Sequence, residues 1–529
     1  DADYNVAIGS LALSADTLGS RSIAIGRSAL QTQNFTSATD AYNVAVGHGA
    51  GSSITTSTRN TLLGGLTGDS ITTGARNTAL GALALSEETA GAYSTAVGYQ
   101  ALAVQNNTGG GNIYNTAVGY QAGFSITTGV QNTLIGGAAG DALTDADYNV
   151  ALGVSSLAQD TLGSKSTALG FGTLATQNFT SATDSFNTAV GYHAGVSVTT
   201  GTENTLIGGA AGDALTVGSN NVALGYEALS SETAGDRSVA IGRAALQVQN
   251  NTSNADIYNI AIGYGTGESI TTGTQNTLIG GLAGDAITTP SNNVALGYSA
   301  LTALVGGENN VALGNFALKS DVEGDHSTAI GTQALENQNF SSGTNSFNVA
   351  VGFQTGINVT TGVENTLVGA NAGDALTDAD QNVAVGQGAL TTDTLGSASV
   401  AIGHNALLQQ NFTSATTNYN VAIGKSAGYA VTTGVQNTLI GGQAGDALTD
   451  ADYNVAIGVS ALGTDTLGSR ATALGFATLA NQNFSSATDN YNVAVGFQAG
   501  NAVTTGVENV LIGGLAGDAL TTGSGNVAL

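Results

Sequence analysis

The residues Asn5-Val6-Ala7-Ile8-Gly9 are the first copy of a motif, Asn/Ser-x-Ala/Leu-x-Gly, that recurs throughout the chain. Twenty-nine copies end in glycine, and a thirtieth lies at Asn526–Leu529. Each copy places three mostly apolar, often β-branched residues between a polar residue and a glycine, which is typical of a short β-strand. The sequence therefore predicts an all-β parallel solenoid, in which similar coils stack on one another.

The spacing of the motif glycines gives the length of each coil, or rung. From Gly26 to the equivalent Gly98, one 21-residue and three 17-residue rungs make a 72-residue super-repeat. One later interval is 89 residues long, and it contains an extra 17-residue rung around 293–326. We interpret 1–529 as a single repeat array without a separate globular domain, because whole rungs are gained or lost when each stacks on similar neighbours. Both termini fall within a rung, so we expect a longer fibre.

The composition excludes several classes of protein. The 529 residues include 77 Gly, one Pro and no Cys, Met or Trp, and the formal net charge is −27. Nucleic acids and anionic membranes attract clustered Lys and Arg, so we expect neither as a partner. No apolar run approaches the roughly 18 residues of a membrane span. The lack of cysteine excludes disulfides and thiolate metal sites.

The motif strand is apolar on both faces, which is typical of a strand buried on both sides. Side chains alternate along a strand, so Val6 and Ile8 share one face and Ala7 lies on the other. We expect Val and Ile to fill the coil, and the opposite Ala/Leu face to form an apolar stripe that contacts identical chains. Candidate residues of this interface stripe are Ala7, Ala24, Ala45, Leu62, Leu134, Leu206, Leu278, Leu367, Leu439 and Leu511.

The segments NTAVGYQAG (Asn115–Gly123) and SVAIGRAAL (Ser238–Leu246) resemble the head repeats of trimeric autotransporter, or YadA-like, adhesins. Similar repeats also occur in phage tail fibres. The resemblance covers nearly the whole chain, although the rungs are longer here. It implies a left-handed parallel β-roll in each chain, three chains intertwined or side by side around a common axis, and exposure on a bacterial surface.

These observations predict an extracellular structural fibre or adhesin segment that is not an enzyme and needs no cofactor. Its partners would be itself, as a homotrimer or higher filament, and a surface receptor or glycan. Two alternatives are a phage tail-fibre shaft and a single-chain solenoid that binds calcium or ice. The Thr-Thr-Gly steps occur in only some rungs, so we expect no rung-by-rung threonine array for ice. Catalysis needs convergent groups, whereas the four histidines lie in different rungs, at His48, His193, His326 and His404.

The segment GGAAGDALT (Gly136–Thr144) partly matches a calcium-binding nonapeptide repeat. It recurs once per super-repeat, whereas stacked calcium sites need consecutive repeats. Asp141, Asp145 and Asp147 supply carboxylates, which are ligands for a hard cation. A loosely held calcium ion is therefore one interpretation of this segment, and a solvated acidic corner is the other.

The 21-residue rungs contain an extra loop, such as QNFTSATD, that we expect to protrude and to contact any receptor. Each loop contains Asn-x-Ser/Thr, a glycosylation sequon, although shared ancestry of the copies also explains the repetition. The candidate acceptors are Asn34, Asn106, Asn178, Asn250, Asn339, Asn411 and Asn483, and another sequon begins at Asn358. An aromatic residue ends each of these rungs, where it either covers the corner or stacks on carbohydrate: Tyr42, Tyr114, Phe186, Tyr258, Phe347, Tyr419 and Tyr491.

Overall fold

A computed structural model describes residues 2–529. The chain divides into two compact units, 1–262 and 263–529, and each is a parallel β-solenoid. Every regular element within 2–529 is a β-strand, and this part of the chain contains no helix. These features confirm the predicted all-β solenoid of 17- and 21-residue rungs, while the array of 1–529 as one body stays a prediction.

The motif forms a three-residue strand in almost every rung, and each strand pairs in parallel with the next in the same unit, so that Ala117 lies opposite Leu134. In the first unit the motif strands are Val6–Ile8, Ile23–Ile25, Val44–Val46, Thr61–Leu63, Thr78–Leu80, Thr95–Val97, Thr116–Val118, Thr133–Ile135, Val150–Leu152, Thr167–Leu169, Thr188–Val190, Thr205–Ile207, Val222–Leu224, Val239–Ile241 and Ile260–Ile262. In the second unit they are Thr277–Ile279, Val294–Leu296, Val311–Leu313, Thr328–Ile330, Val349–Val351, Thr366–Val368, Val383–Val385, Val400–Ile402, Val421–Ile423, Thr438–Ile440, Val455–Ile457, Thr472–Leu474, Val493–Val495, Val510–Ile512 and Val527–Ala528.

A second set of strands occurs only at the 21-residue rungs, where two-residue segments pair in parallel. The pairs are Gly19–Ser20 with Thr39–Asp40, Gly91–Ala92 with Gly111–Asn112, Gly163–Ser164 with Thr183–Asp184, Gly324–Asp325 with Thr344–Asn345, Gly396–Ser397 with Thr416–Thr417, and Gly468–Ser469 with Thr488–Asp489. Segments such as SITTG and DALT, whose Ile, Leu and Thr residues favour a second strand, form none. The carbonyl of Thr144 accepts the amides of both Thr127 and Gly129, because the chain turns there instead of extending.

The two faces of the motif strand are the reverse of the prediction. The middle Ala or Leu points into the coil, and the flanking Val, Ile, Leu and Thr point outward. The predicted stripe residues Ala24, Ala45, Leu62, Leu134, Leu206, Leu278, Leu367, Leu439 and Leu511 are buried within the single chain, while Ala7 in the first rung is exposed. Except for Ala7, they are therefore core residues, and an outer interface has to use the flanking positions.

The interior is too narrow for a large residue at every inward position. Leu134 reaches into the space beside Gly123 and Gly140, where an added Cβ would lie only 2.8 and 2.9 Å from its methyl groups. In most rungs with Ala in the motif, as at Ala96, the leucine four residues after the motif glycine, here Leu102, is buried instead. In the rung before each Leu motif, this position is glycine, as at Gly123. The 72-residue period thus arises from complementary volumes in successive rungs.

The asparagine that opens most motifs is buried and forms a ladder along the solenoid. The backbone amide of Asn132 donates to Asn115 Oδ1 at 2.8 Å, and the backbone amide of Asn149 donates to Asn132 Oδ1 at 2.9 Å. The Asn132 side-chain amide also donates at 2.8 Å to the carbonyl of Ala146, which stacks on Gly129 just before Asn132. Each asparagine therefore bonds to the rung before it and to the turn that precedes the next motif.

Gly136 and Gly137 provide a matched test of rung stacking. Gly136 has φ +140°, and an added Cβ would lie 2.3 Å from the Gly153 carbonyl oxygen, whereas a Cβ on Gly137 would meet nothing within 4 Å. We expect Gly136→Ala to destabilise the neighbouring rungs by about 2 kcal/mol or more, through strain and lost stacking. Amide hydrogen exchange around 130–155 measures this effect. Equal exchange in Gly136→Ala and Gly137→Ala would contradict the proposed role of the close approach.

Candidate functional site

Each 21-residue rung contains a buried polar network centred on a carboxylate from the preceding rung. In the copy around Asp160, the Gln177 side-chain amide donates to Asp160 Oδ2 at 2.5 Å and to Ser166 Oγ at 2.9 Å. The side-chain oxygen of Gln177, Oε1, accepts a hydrogen bond from the Asn187 side-chain amide at 2.9 Å. Asp160, Ser166, Gln177 and Asn187 are all 0% exposed. Ser166 replaces the asparagine that opens most motifs. Its smaller side chain leaves room for Gln177, which continues the asparagine ladder.

The same carboxylate holds the loop that the 21-residue rung adds. Asp160 Oδ1 accepts the backbone amides of Gly163 at 3.0 Å and of Phe179, in the loop, at 3.3 Å. A buried charge is stable only when its lone pairs are occupied by donors, and here three N–H groups meet this requirement. The loop is therefore held by its own backbone amide, which leaves its outer side chains free to vary.

The acid and the loop residue above it vary together along the chain. Five copies combine aspartate with a buried phenylalanine, at Asp16/Phe35, Asp160/Phe179, Asp321/Phe340, Asp393/Phe412 and Asp465/Phe484; two combine glutamate with asparagine, at Glu88/Asn107 and Glu232/Asn251. The longer glutamate receives a bond from the Asn251 side chain at 3.0 Å. Burial raises the pKa of Asp321, opposed by its bonds from Gln338, Phe340 and Gly324.

Replacing the glutamine of this network should lower the stability of the surrounding rungs. We expect Gln177→Leu to lower local stability by about 2–4 kcal/mol, because Asp160 would lose its side-chain donor while remaining buried. Ser166→Ala is the control, and it should cost under about 1 kcal/mol, because the last copy already has Ala471 at this position. Hydrogen exchange of 160–190 measures both variants, and a smaller effect of Gln177→Leu would show that the network is dispensable.

The candidate acceptor asparagines lie at the surface, at the base of each loop. In six of the seven, the Oδ1 atom accepts a threonine hydroxyl from the preceding rung, as from Thr161 to Asn178 at 3.1 Å. Asn34, Asn178, Asn250, Asn339 and Asn483 are exposed, and Asn106 and Asn411 are half-buried. The structure thus places all seven at equivalent positions, and their glycosylation stays a prediction.

The aromatic residues that end the 21-residue rungs are about half exposed, and most contact a side chain from the preceding rung. Lys165 Nζ lies 5.1 Å from the centre of the Phe186 ring and 2.5 Å from Asp184 Oδ2. Arg21 contacts Tyr42, Arg237 contacts Tyr258 and Arg470 contacts Tyr491 in the same way. One ring face is therefore partly covered in these copies, and carbohydrate stacking stays a prediction.

The cation and its aspartate partner also vary together. The ion pairs are Arg21–Asp40, Lys165–Asp184, Arg237–Asp256 and Arg470–Asp489. In the other three copies the cation is replaced by Tyr93, His326 or Ala398. The aspartate is then replaced by an uncharged residue, which is Asn112, Asn345 or Thr417, respectively. In the copy with Ala398, a cleft of about 370 Å³ is lined by Glu364, Asp378, Asp380, Thr416 and Thr417, among others.

The carboxylates considered for calcium have separate surroundings. Asp145 Oδ1 accepts the Thr128 hydroxyl at 2.6 Å, and Asp147 Oδ1 accepts the Val130 amide at 2.7 Å. Asp141 Oδ1 is buried without a partner, and burial raises the pKa of Asp141. Within residues 2–529 no three acidic or histidine side chains are grouped for a metal ion. Calcium binding stays an untested prediction.

The raised pKa of Asp141 means that its ionised form opposes folding. Protonation is favoured more in the folded than in the unfolded chain, so this stability is lost as the pH rises through the folded pKa. We expect Asp141→Asn to stabilise the protein at pH 7 by less than about 1 kcal/mol, because the side chain is still partly hydrated. The gain should vanish below about pH 4, where aspartate is protonated in both states. Thermal melts at both pH values test this, with Asp145→Asn as the control.

Threonines form a column through most rungs, at a position that the Thr-Thr-Gly steps alone do not reveal. Thr127, Thr144 and Thr161 occupy equivalent positions, eight residues after the motif glycine, and most 17-residue rungs have threonine there. The Thr127 hydroxyl donates to the Thr144 carbonyl at 3.2 Å, and the Thr144 hydroxyl donates to the Thr161 carbonyl at 3.0 Å. The hydroxyl protons are used inside the protein, and a loop interrupts this column in every super-repeat. This arrangement does not favour ice binding.

The histidines lie in different rungs, as their sequence positions require. His48, His326 and His404 are exposed, and His193 stacks on Tyr192 with a centroid distance of 4.0 Å. No helix within the described residues has the length and apolar character needed to cross a membrane. No protein-family model and no curated protein matches this sequence.

Proposed function

We propose that this chain is a structural segment of an extracellular fibre or adhesin, built by parallel association of identical chains into a homotrimer. The YadA-like resemblance of its motif suggests this class, and the outward face of the motif strands is the observation that carries it. The proposed mechanism is mechanical: the fibre would hold its lateral loops at fixed spacing and present them to a surface receptor or glycan.

The outward face of the motif strands has no charged residue. Its first position is always Thr, Val or Ile, and its third is always Val, Ile or Leu, in a chain with a net charge of −27. Leu152, Leu224 and Leu296 on this face are 44%, 41% and 46% exposed. Within each unit this largely apolar stripe recurs in every rung, which is more than a soluble monomer ordinarily exposes. Association of identical chains would cover it without placing like charges together.

In several rungs an aromatic residue directly after the motif glycine lies beside this face, whereas other rungs have small, polar or charged residues there, such as Arg243. Phe171 and Tyr192 stack at 5.6 Å, and Phe476 and Phe497 stack at 5.4 Å. All four are about half exposed. Aromatic residues are enriched in the cores of protein interfaces, so these ring pairs would be covered together with the motif face.

The mass of the protein in solution tests the proposal. Sedimentation equilibrium should give three times the chain mass at micromolar concentration, and the mass should persist in high salt because the face is uncharged. A monomer that stays soluble at this concentration would contradict both the trimer and the role of the face.

Charge placed on the motif face should weaken association. We expect the triple variant Leu224→Glu, Leu296→Glu and Leu474→Glu to lose at least tenfold in trimer stability, because burying each unpaired carboxylate costs several kcal/mol. Val217→Glu, Val248→Glu and Val305→Glu together are the control, because these valines are similarly exposed but lie outside the motif strands. Sedimentation across a dilution series, with circular dichroism to verify folding, compares them. Equal dissociation of both variants would show that the interface lies elsewhere.

A further inference from the structure

The seven loops retain a hydroxyl for which the solenoid has no structural use. It lies two residues after the acceptor asparagine, at Thr36, Thr108, Thr180, Thr252, Ser341, Thr413 and Ser485, and all seven are exposed. None of these hydroxyls is hydrogen-bonded within the described protein, in contrast to the threonine column. The residue before it changes between Phe and Asn, and the residue after it changes between Ser and Gly. Shared ancestry alone does not explain why the hydroxyl persists between positions that have diverged.

In the loop asparagines the side-chain oxygen is mostly used in a hydrogen bond, whereas the side-chain nitrogen is not. In six copies its Oδ1 accepts a threonine hydroxyl from the preceding rung, as in Thr89 to Asn106 at 2.8 Å and Thr466 to Asn483 at 3.0 Å. Its Nδ2 has no hydrogen-bond partner in the described structure of any of the seven. The rung-to-rung bond therefore holds the side chain by its oxygen and leaves the nitrogen available at the base of a surface loop.

We propose that the seven loop asparagines are sites of N-glycosylation. Glycosyltransferases that modify asparagine require Asn-x-Ser/Thr in a surface segment, which explains why a hydroxyl without a structural partner is retained. The chain would be the acceptor substrate, and the donor would be a sugar activated through a phosphate linked to a lipid or nucleotide. A bond forms between Asn Nδ2 and the sugar C1 as the C1–O bond to phosphate breaks. The phosphate leaves with the electron pair, and Nδ2 loses a proton.

Two other Asn-x-Ser/Thr sequences in the chain are natural controls. The Asn358 side-chain amide donates to the Asp374 carbonyl at 2.9 Å, and the Thr360 hydroxyl donates to the Thr377 carbonyl at 3.2 Å. Asn251 is 8% exposed, and its amide donates to Glu232 Oε2 at 3.0 Å. Both amide nitrogens are bonded within the solenoid, so we expect Asn358 and Asn251 to remain unmodified.

This inference goes beyond the proposed fibre function and does not depend on trimer formation. Within each unit, adjacent acceptor sites four rungs apart would be separated by about 19 Å. The glycans would cover the loops, so any lateral contact would be made through sugar or would be blocked by it.

Mass spectrometry of the protein isolated from the organism that encodes it tests the proposal. Electron-transfer fragmentation, which keeps glycans on their residues, should locate sugar on the seven loop asparagines and not on Asn358 or Asn251. Seven unmodified loops would overturn the proposal, and so would modification of Asn358 and Asn251 to the same extent.

Variants of one loop distinguish a glycosylation sequon from a structural hydroxyl. In the native organism, Thr180→Ala should abolish sugar at Asn178, and Thr180→Ser should retain it, while the other six sites stay modified. The sugar-free chain made in a host without the transferase should melt at the same temperature with either residue. A lower melting temperature for sugar-free Thr180→Ala would assign the hydroxyl a structural role and remove the argument for glycosylation.

Discussion

The close backbone contact between successive rungs is the constraint on which the rest of the structure depends. At each contact the motif glycine of one rung lies against the glycine carbonyl of the next, as Gly136 does against Gly153. Coils this close can bury asparagine because its amide and carbonyl groups reach partners in the neighbouring rungs. The ladder compensates for the desolvation of a polar column that an isolated coil could not satisfy. Each rung is therefore stable only as a neighbour of others, which is why the sequence repeats.

Interruption of the ladder once per super-repeat creates the loops. Where serine replaces asparagine, glutamine from the same rung fills the gap and binds the buried acid of the preceding rung. That acid then receives a loop amide, so the position of the loop is set from inside the solenoid. The extra rung around 293–326 has Leu304 at the position where Asp321 supplies the acid one rung later. The insertion therefore leaves the bond from Gln338 to Asp321 intact.

Rung lengths, parallel pairing and the loop positions could be predicted from the sequence, because glycine spacing reports them directly. The direction of the motif side chains could not, since alternation defines two faces without saying which is inside. Val and Ile are larger than Ala, which favoured them as core, but Leu102 and its equivalents already fill the coil. The threonine column was missed because the Thr-Thr-Gly steps were compared as neighbours in sequence rather than at a fixed distance from glycine. The buried acid contacts a glutamine 17 residues later and a loop amide 19 residues later. The motif alone does not predict these contacts.

The distribution of charge distinguishes the two sides of the molecule. An exposed ion pair such as Arg21–Asp40 contributes little free energy, yet aspartate occurs at this position only when the preceding rung supplies a cation. In a chain with net charge −27, an unpaired carboxylate there would add repulsion among the many acids nearby, so neutral residues replace both partners together. The motif face instead excludes charge altogether, whether paired or not. Paired charges are tolerated beside water, whereas their complete exclusion is expected where a surface becomes desolvated. This contrast is the reason to look for the partner chain on the motif face and for solvent, sugar or receptor at the loops.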